Sequence, residues 1–110
     1  MTGPRDRLRQ DYAAAFVRYL SRPDEAALRA AYDLGRRALA AGVDLLEVVR
    51  VHHAVLADTG GRGGEEPGEL AEAAAAFLVE VLGSFEMTRR GFMEGRAAGG
   101  APRAAPRRRG

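Results

Sequence analysis

Leu8, Tyr12, Phe16, Tyr19 and Leu20 recur at steps of four, four, three and one. No stretch of the chain alternates apolar and polar residues every two positions with β-branched side chains. That pattern excludes strands and puts one apolar face on a helix over residues 5–21. Three more such faces follow. Pro23 stops the first helix or opens the second, and Asp24 and Glu25 suit a positive helix N-terminus. Its inward stripe is Leu28, Ala31, Tyr32, Gly35, Ala38 and Leu39, with Gly42 as the stop. Asp44 caps a third helix, whose Leu45, Val48, Val49, His52 and Leu56 share a side. Residues 59–68, TGGRGGEEPG, hold five glycines and a proline and cannot continue it. A fourth helix runs from Glu69 to about Gly95 on Leu70, Ala74, Phe77, Leu78, Val81, Leu82, Phe85 and Phe92.

The expected fold is therefore all-α: a four-helix bundle with antiparallel neighbours and a long C-terminal helix. At 110 residues the chain holds one domain with one modest core. Residues 1–95 form that domain. Residues 96–110 combine Gly, Ala, Pro and Arg with no large apolar side chain, and are expected to be a disordered basic tail.

Charge and composition narrow the functions. The net charge of +2 hides a division. Residues 1–95 carry twelve arginines against fifteen acids, whereas residues 96–110 carry five arginines and no acid. The basic balance thus belongs to the tail. Five charges without interleaved aromatics give weak, salt-sensitive binding to nucleic acid or anionic surfaces, which leaves nucleic acid as an alternative reading only. Cysteine is absent, which removes disulfides and thiolate chemistry and fits a cytoplasmic protein. No apolar run approaches the ~20 residues of a membrane span, and charges stand where a signal peptide has its apolar stretch.

No site for catalysis, metal or cofactor emerges. His52 and His53 are adjacent, so a helix points them about 100° apart, and no third ligand follows at a helical step. The GGRGG segment lacks the lysine and hydroxyl of a phosphate loop. Glu65 and Glu66 sit in the glycine-rich loop with nothing to shift them. Ser21 and Ser84 are expected at helix ends, away from any histidine.

Two surfaces stand out instead. In SFEMTRRGFMEG, residues 84–95, Phe85, Thr88 and Phe92 share one side of the helix, and Glu86 and Arg90 stand four apart as an ion pair. Gly91 admits a close neighbour, and Phe92 and Met93 lie past the reach of three shorter helices. Phe85, Thr88, Arg89, Gly91, Phe92 and Met93 are thus the candidate dimer interface. The second surface joins tyrosines and charges of the first two helices: Tyr12, Tyr19, Asp24, Glu25, Arg29 and Tyr32. Tyr and Arg dominate binding hot spots, which makes these the candidate partner-binding residues.

Two longer strings carry a resemblance. AYDLGRRALAAGVDLLEVVRVHHAVL, residues 31–56, supplies Asp33, Leu34, Gly35, Arg36, Ala38 and Leu39, then Leu45, Leu46, Val49, His52 and His53. FLVEVLGSFEMTRRGFMEG, residues 77–95, supplies Phe77, Glu80, Leu82, Phe85, Glu86, Met87, Thr88, Arg90, Gly91 and Phe92. In this order the strings resemble the N-terminal domain family of the RsbU phosphatase, over residues 8–95. The resemblance implies a helical homodimer in the partner-switching pathways that control stress sigma factors. It implies docking of an RsbT-type switch kinase of the GHKL class, which activates a metal-dependent serine phosphatase domain joined by a linker helix. Residues 96–110 match neither linker nor phosphatase, so the expectation is a non-catalytic interaction module without cofactors. A purely structural dimerisation domain is the alternative.

Overall fold

The computed structural model describes residues 3–60 and 66–100, with side chains as far as Glu94. Four helices account for nearly all of them: α1 Pro4–Ser21, α2 Glu25–Ala40, α3 Leu45–Thr59 and α4 Pro67–Gly100. Among the described residues there is no strand.

The helix ends follow local chemistry. Pro4 and Pro67 open α1 and α4 at the one place where a missing N–H does no harm. The Asp24 carboxylate accepts from the Ala27 N–H at 2.9 Å, and Asp44 accepts from Glu47 at 2.8 Å. At the end of α2, Gly42 takes φ 79°, Gly42 N–H donates to Leu39 and Val43 N–H donates to Ala38, each at 3.0 Å. This pair of bonds around a left-handed residue closes the helix.

Sequence neighbours run antiparallel. Arg37 near the end of α2 reaches Asp11 in the first half of α1, at 3.3 Å. α1 and α3 then share a direction, since Arg5 pairs with Glu47 at 2.9 Å and Tyr12 meets His52. α2 and α4 share the other direction and form the closest pair in the bundle. Gly35 makes that possible. A Cβ there would collide with the Ser84 hydroxyl and the Val81 carbonyl, and would lie 2.9 Å from the Phe85 nitrogen. Ser84 donates to the Tyr32 carbonyl at 2.7 Å, with the Val81 carbonyl in its own helix at 3.0 Å.

The core is Leu8, Tyr12 and Phe16 from α1, Ala31, Leu34 and Ala38 from α2, Val43, then Val48, Val51 and Val55 from α3, and Ala74, Phe77, Val81 and Phe85 from α4. Four features differ from the expectation. In α2 the buried stripe is Ala27, Ala31, Leu34, Gly35 and Ala38, while Leu28, Tyr32 and Leu39 are half-buried. α2 turns its smallest residues toward α4 because only they permit the close approach. In α3, Leu45 and Val49 are exposed and Val51 and Val55 take their place, because α3 packs mainly on α1 and barely meets α2. Ser84 is buried in mid-helix rather than at a helix end. Finally, α4 continues past the expected end at about Gly95 to Gly100. Residues 101–110 of the expected tail lie outside the described residues.

The two glycines in α2 and α4 should respond oppositely to alanine. Gly35→Ala is expected to lower stability by about 1–3 kcal/mol through overpacking against α4. Gly83→Ala, whose Cβ meets nothing within 4 Å, is expected to raise monomer stability by about 1 kcal/mol. Urea unfolding followed by circular dichroism measures both.

Candidate functional site

Tyr12 is not a surface residue. It is fully buried, edge-on to the Phe77 ring at 5.2 Å and to the His52 ring at 5.8 Å. Its place one turn from Leu8 and Phe16 drives it inward, so it leaves the candidate partner-binding surface. Burial lifts its hydroxyl above the ordinary range. The hydroxyl lies 2.7 Å from His52 Nδ1. A protonated phenol beside a neutral imidazole makes Tyr12 the donor and places the histidine proton on Nε2. Phe16 and Tyr19 join the same aromatic cluster, 5.4 and 5.7 Å from Phe77. Tyr19 is half-buried there.

Burial pushes His52 below its ordinary value of 6.5, and the neighbouring His53 adds to the push. His53 is exposed. Among the described residues, no three His, Asp or Glu side chains gather as a metal site.

The remaining candidates on the first two helices separate by what they already do. Asp24 is occupied as the α2 cap and lies 3.5 Å from Arg22. Glu25, Arg29 and Tyr32 come together. With Leu28, Asp33, Arg36 and Glu80 they line an open groove between α2 and α4. Glu25, Arg29, Asp33, Arg36 and Glu80 form no ion pair among the described residues, whereas Arg5, Arg9, Arg22, Arg37, Arg50 and Arg89 all have carboxylate partners. Acids and bases thus alternate along a groove that the fold itself does not use.

The candidate interface at the end of α4 also divides. Phe85 is in the core and leaves it, because α2 and α3 still cover that turn. Thr88 is half-buried beside Asp33, Arg36, Arg37 and Ala40 of α2. Arg89, not Arg90, pairs with Glu86. Its Nε lies 2.8 Å from Oε1 and its Nη2 3.2 Å from Oε2. The three-residue step lets the guanidinium fork meet both carboxylate oxygens, while Arg90 turns to the outer side. The Arg89 bonds hold the Glu86 carboxyl below the usual carboxylate range. A Cβ on Gly91 would meet nothing within 4 Å. Phe92 is 60% exposed and Met93 56%.

Other exposed apolar residues lie outside the two candidate surfaces. Leu46 is 60% exposed, Val79 69% and Met87 63%. Leu45 lines an open groove with Leu39, Val43, Phe85, Glu86 and Arg89. Val79 and Met87 could have been found by spacing, since they stand four residues either side of Gly83 and off the inward stripe.

With this geometry in place, the comparison is informative. The family model described as "Phosphoserine phosphatase RsbU, N-terminal domain" matches residues 10–88, well over half of the chain. The chain belongs to the RsbU N-terminal domain family. The match begins just before the α1 aromatic residues and ends at Thr88, so it takes in every core residue except Leu8. No curated protein and no solved structure matches the chain. The match is to the N-terminal domain and not to a phosphatase domain. No helix of the described residues is long and apolar enough to cross a membrane.

The burial of His52 makes stability depend on pH. The folded state holds His52 below the unfolded value, so the unfolded chain takes up the proton first. The contribution is complete above about pH 6.5 and is lost as pH falls below it toward the folded value. Urea midpoints measured from pH 8 to 5 should fall, and His52→Gln should flatten that fall.

Proposed function

We propose that this RsbU N-terminal domain is a non-catalytic docking module of a partner-switching pathway in the cytoplasm. It pairs with a second copy of itself and receives an RsbT-type serine kinase. The family supports a regulatory role. The observation that carries the docking reading is the α2–α4 groove, with five charged side chains that have no ion-pair partner among the described residues, around Tyr32.

An alternating row of Glu25, Arg29, Asp33 and Arg36 selects a partner by charge register. Each arginine offers a fork to a carboxylate and each acid accepts one. A wrong partner meets like charges, so such a surface favours specificity over raw affinity. Tyr32 supplies the large, rigid contact at its centre. Leu28 gives it an apolar floor.

The test is a binding titration against an RsbT-type kinase. Wild type is expected to bind, and Arg29→Glu with Tyr32→Ala to weaken binding by about thirtyfold, which corresponds to about 2 kcal/mol. Arg29 is exposed and Tyr32 only half-buried, outside the core cluster, so the circular dichroism spectrum should be unchanged. Absence of binding by wild type would leave a structural dimerisation domain. Equal binding by the variant would move the docking face elsewhere on the bundle.

A further inference from the structure

A glycine inside a helix needs a reason. Gly35 has one within the chain, since Ser84 and the α4 backbone occupy the space of its missing side chain. Gly83 has none. It lies in the interior of the 34-residue α4, and a Cβ there would meet nothing within 4 Å. Alanine would serve the isolated bundle better.

The surroundings of Gly83 say what the gap admits. At 100° per residue, Glu72, Ala76, Val79, Gly83, Met87 and Arg90 fall within about 40° of one meridian. That meridian faces away from the core stripe of Phe77, Val81 and Phe85. Val79 and Met87, one turn to each side of the glycine, are the two most exposed of the large hydrophobic residues. Charge along the stripe is divided: Glu72 and, at its edge, Glu80 precede Gly83, and Arg90 follows. None of the three forms an ion pair among the described residues.

We infer that α4 pairs through this outer stripe with α4 of a second copy, the two helices crossing antiparallel at Gly83. The inference rests on the reading that the chain self-associates, and it names the face and the direction. In this register Val79 meets Met87 of the other copy. Arg90 meets Ala76 of the other copy, with Glu72 and Glu80 of that copy one turn to either side. The two-fold symmetry makes each contact twice, as a closed dimer requires. Glu94 falls opposite Glu72 of the other copy, and Arg90 one turn away lies between these acids. A parallel pair would instead set Glu72 against Glu72 and Arg90 against Arg90. Phe92, half a turn round from the stripe, takes no part.

The experiment is light scattering on the full chain over a range of concentrations. Wild type is expected to be a dimer and Gly83→Leu a monomer whose thermal unfolding midpoint is not lowered, because the added side chain projects into open space. Arg90→Glu, and separately Glu72→Arg with Glu80→Arg, should each weaken the dimer at least tenfold. Mixing these two variants should restore it, since residue 90 of each chain then faces opposite charges at 72 and 80 of the other. A wild-type monomer throughout would overturn self-association altogether. A wild-type dimer that survives Gly83→Leu would overturn this face alone. Failure of the mixed variants to recover would overturn the antiparallel register.

Discussion

The arrangement depends on one close contact, that of Gly35 in α2 with Ser84 in α4. The missing side chain brings two parallel helices near enough that a hydroxyl is the largest group the gap will hold. Ser84 is buried without penalty because the Tyr32 carbonyl accepts its proton. A serine in mid-helix usually competes with its own backbone; here it also reaches across to a neighbour. Once α2 and α4 are drawn together, the volume for large side chains moves to the α1 side. That is where Tyr12, Phe16 and Phe77 pack edge-on. α3 follows them, packs mainly on α1 and barely meets α2. The exposure of Leu45, Leu46 and Val49 is a consequence of the same approach.

How legible this was depended on how local each cause is. Asp24, Asp44 and Gly42 act within four residues of themselves, so their capping roles could be read from the letters. α1 was legible because its stripe is made of large aromatic and aliphatic residues with no rival phase. α2 was not, because alanine occupies both its inward and its outward sides and only the position of α4 decides between them. Leu34 was therefore missed as a core residue, and Gly35 was recognised as inward without its partner. Tyr12 carried a hydroxyl that reads as wet, until His52, forty positions away in sequence, supplies its acceptor. Of the candidate surfaces, Glu25, Arg29 and Tyr32 came together, and Phe85 dropped into the core. Nothing in the sequence distinguished Arg89 from Arg90 as the partner of Glu86, because three-residue and four-residue steps both reach on a helix.

Ion pairs give a second way to separate structure from surface. Exposed pairs such as Arg9–Asp58 and Arg37–Asp11 link α1 to its neighbours and contribute little each, on the order of 0–1 kcal/mol. Their value is in register, since they fix which turn of α1 faces which turn of α2 and α3. Some of the charges outside such pairs gather: Glu25, Arg29, Asp33, Arg36 and Glu80 line the α2–α4 groove, and Glu72 and Arg90 stand on the outer side of α4.

The same reasoning applies to apolar residues. A chain this size has few large hydrophobic side chains, because alanine makes up so much of its apolar fraction. Yet Val17, Leu45, Leu46, Val49, Val79, Met87, Phe92 and Met93 all stand exposed. Single exposed hydrophobics need no explanation, but grouped ones on a small domain mark contact with another protein. Here they group by helix: three in the first turns of α3, four along α4. α4 presents its inner meridian to the core, its outer meridian to solvent, and its last described turns beyond the end of the bundle. A helix that served only its own fold would place large apolar residues on the first of these alone. Their presence on the others, with a glycine whose missing side chain nothing in the bundle fills, is the observation on which the proposed pairing of α4 rests.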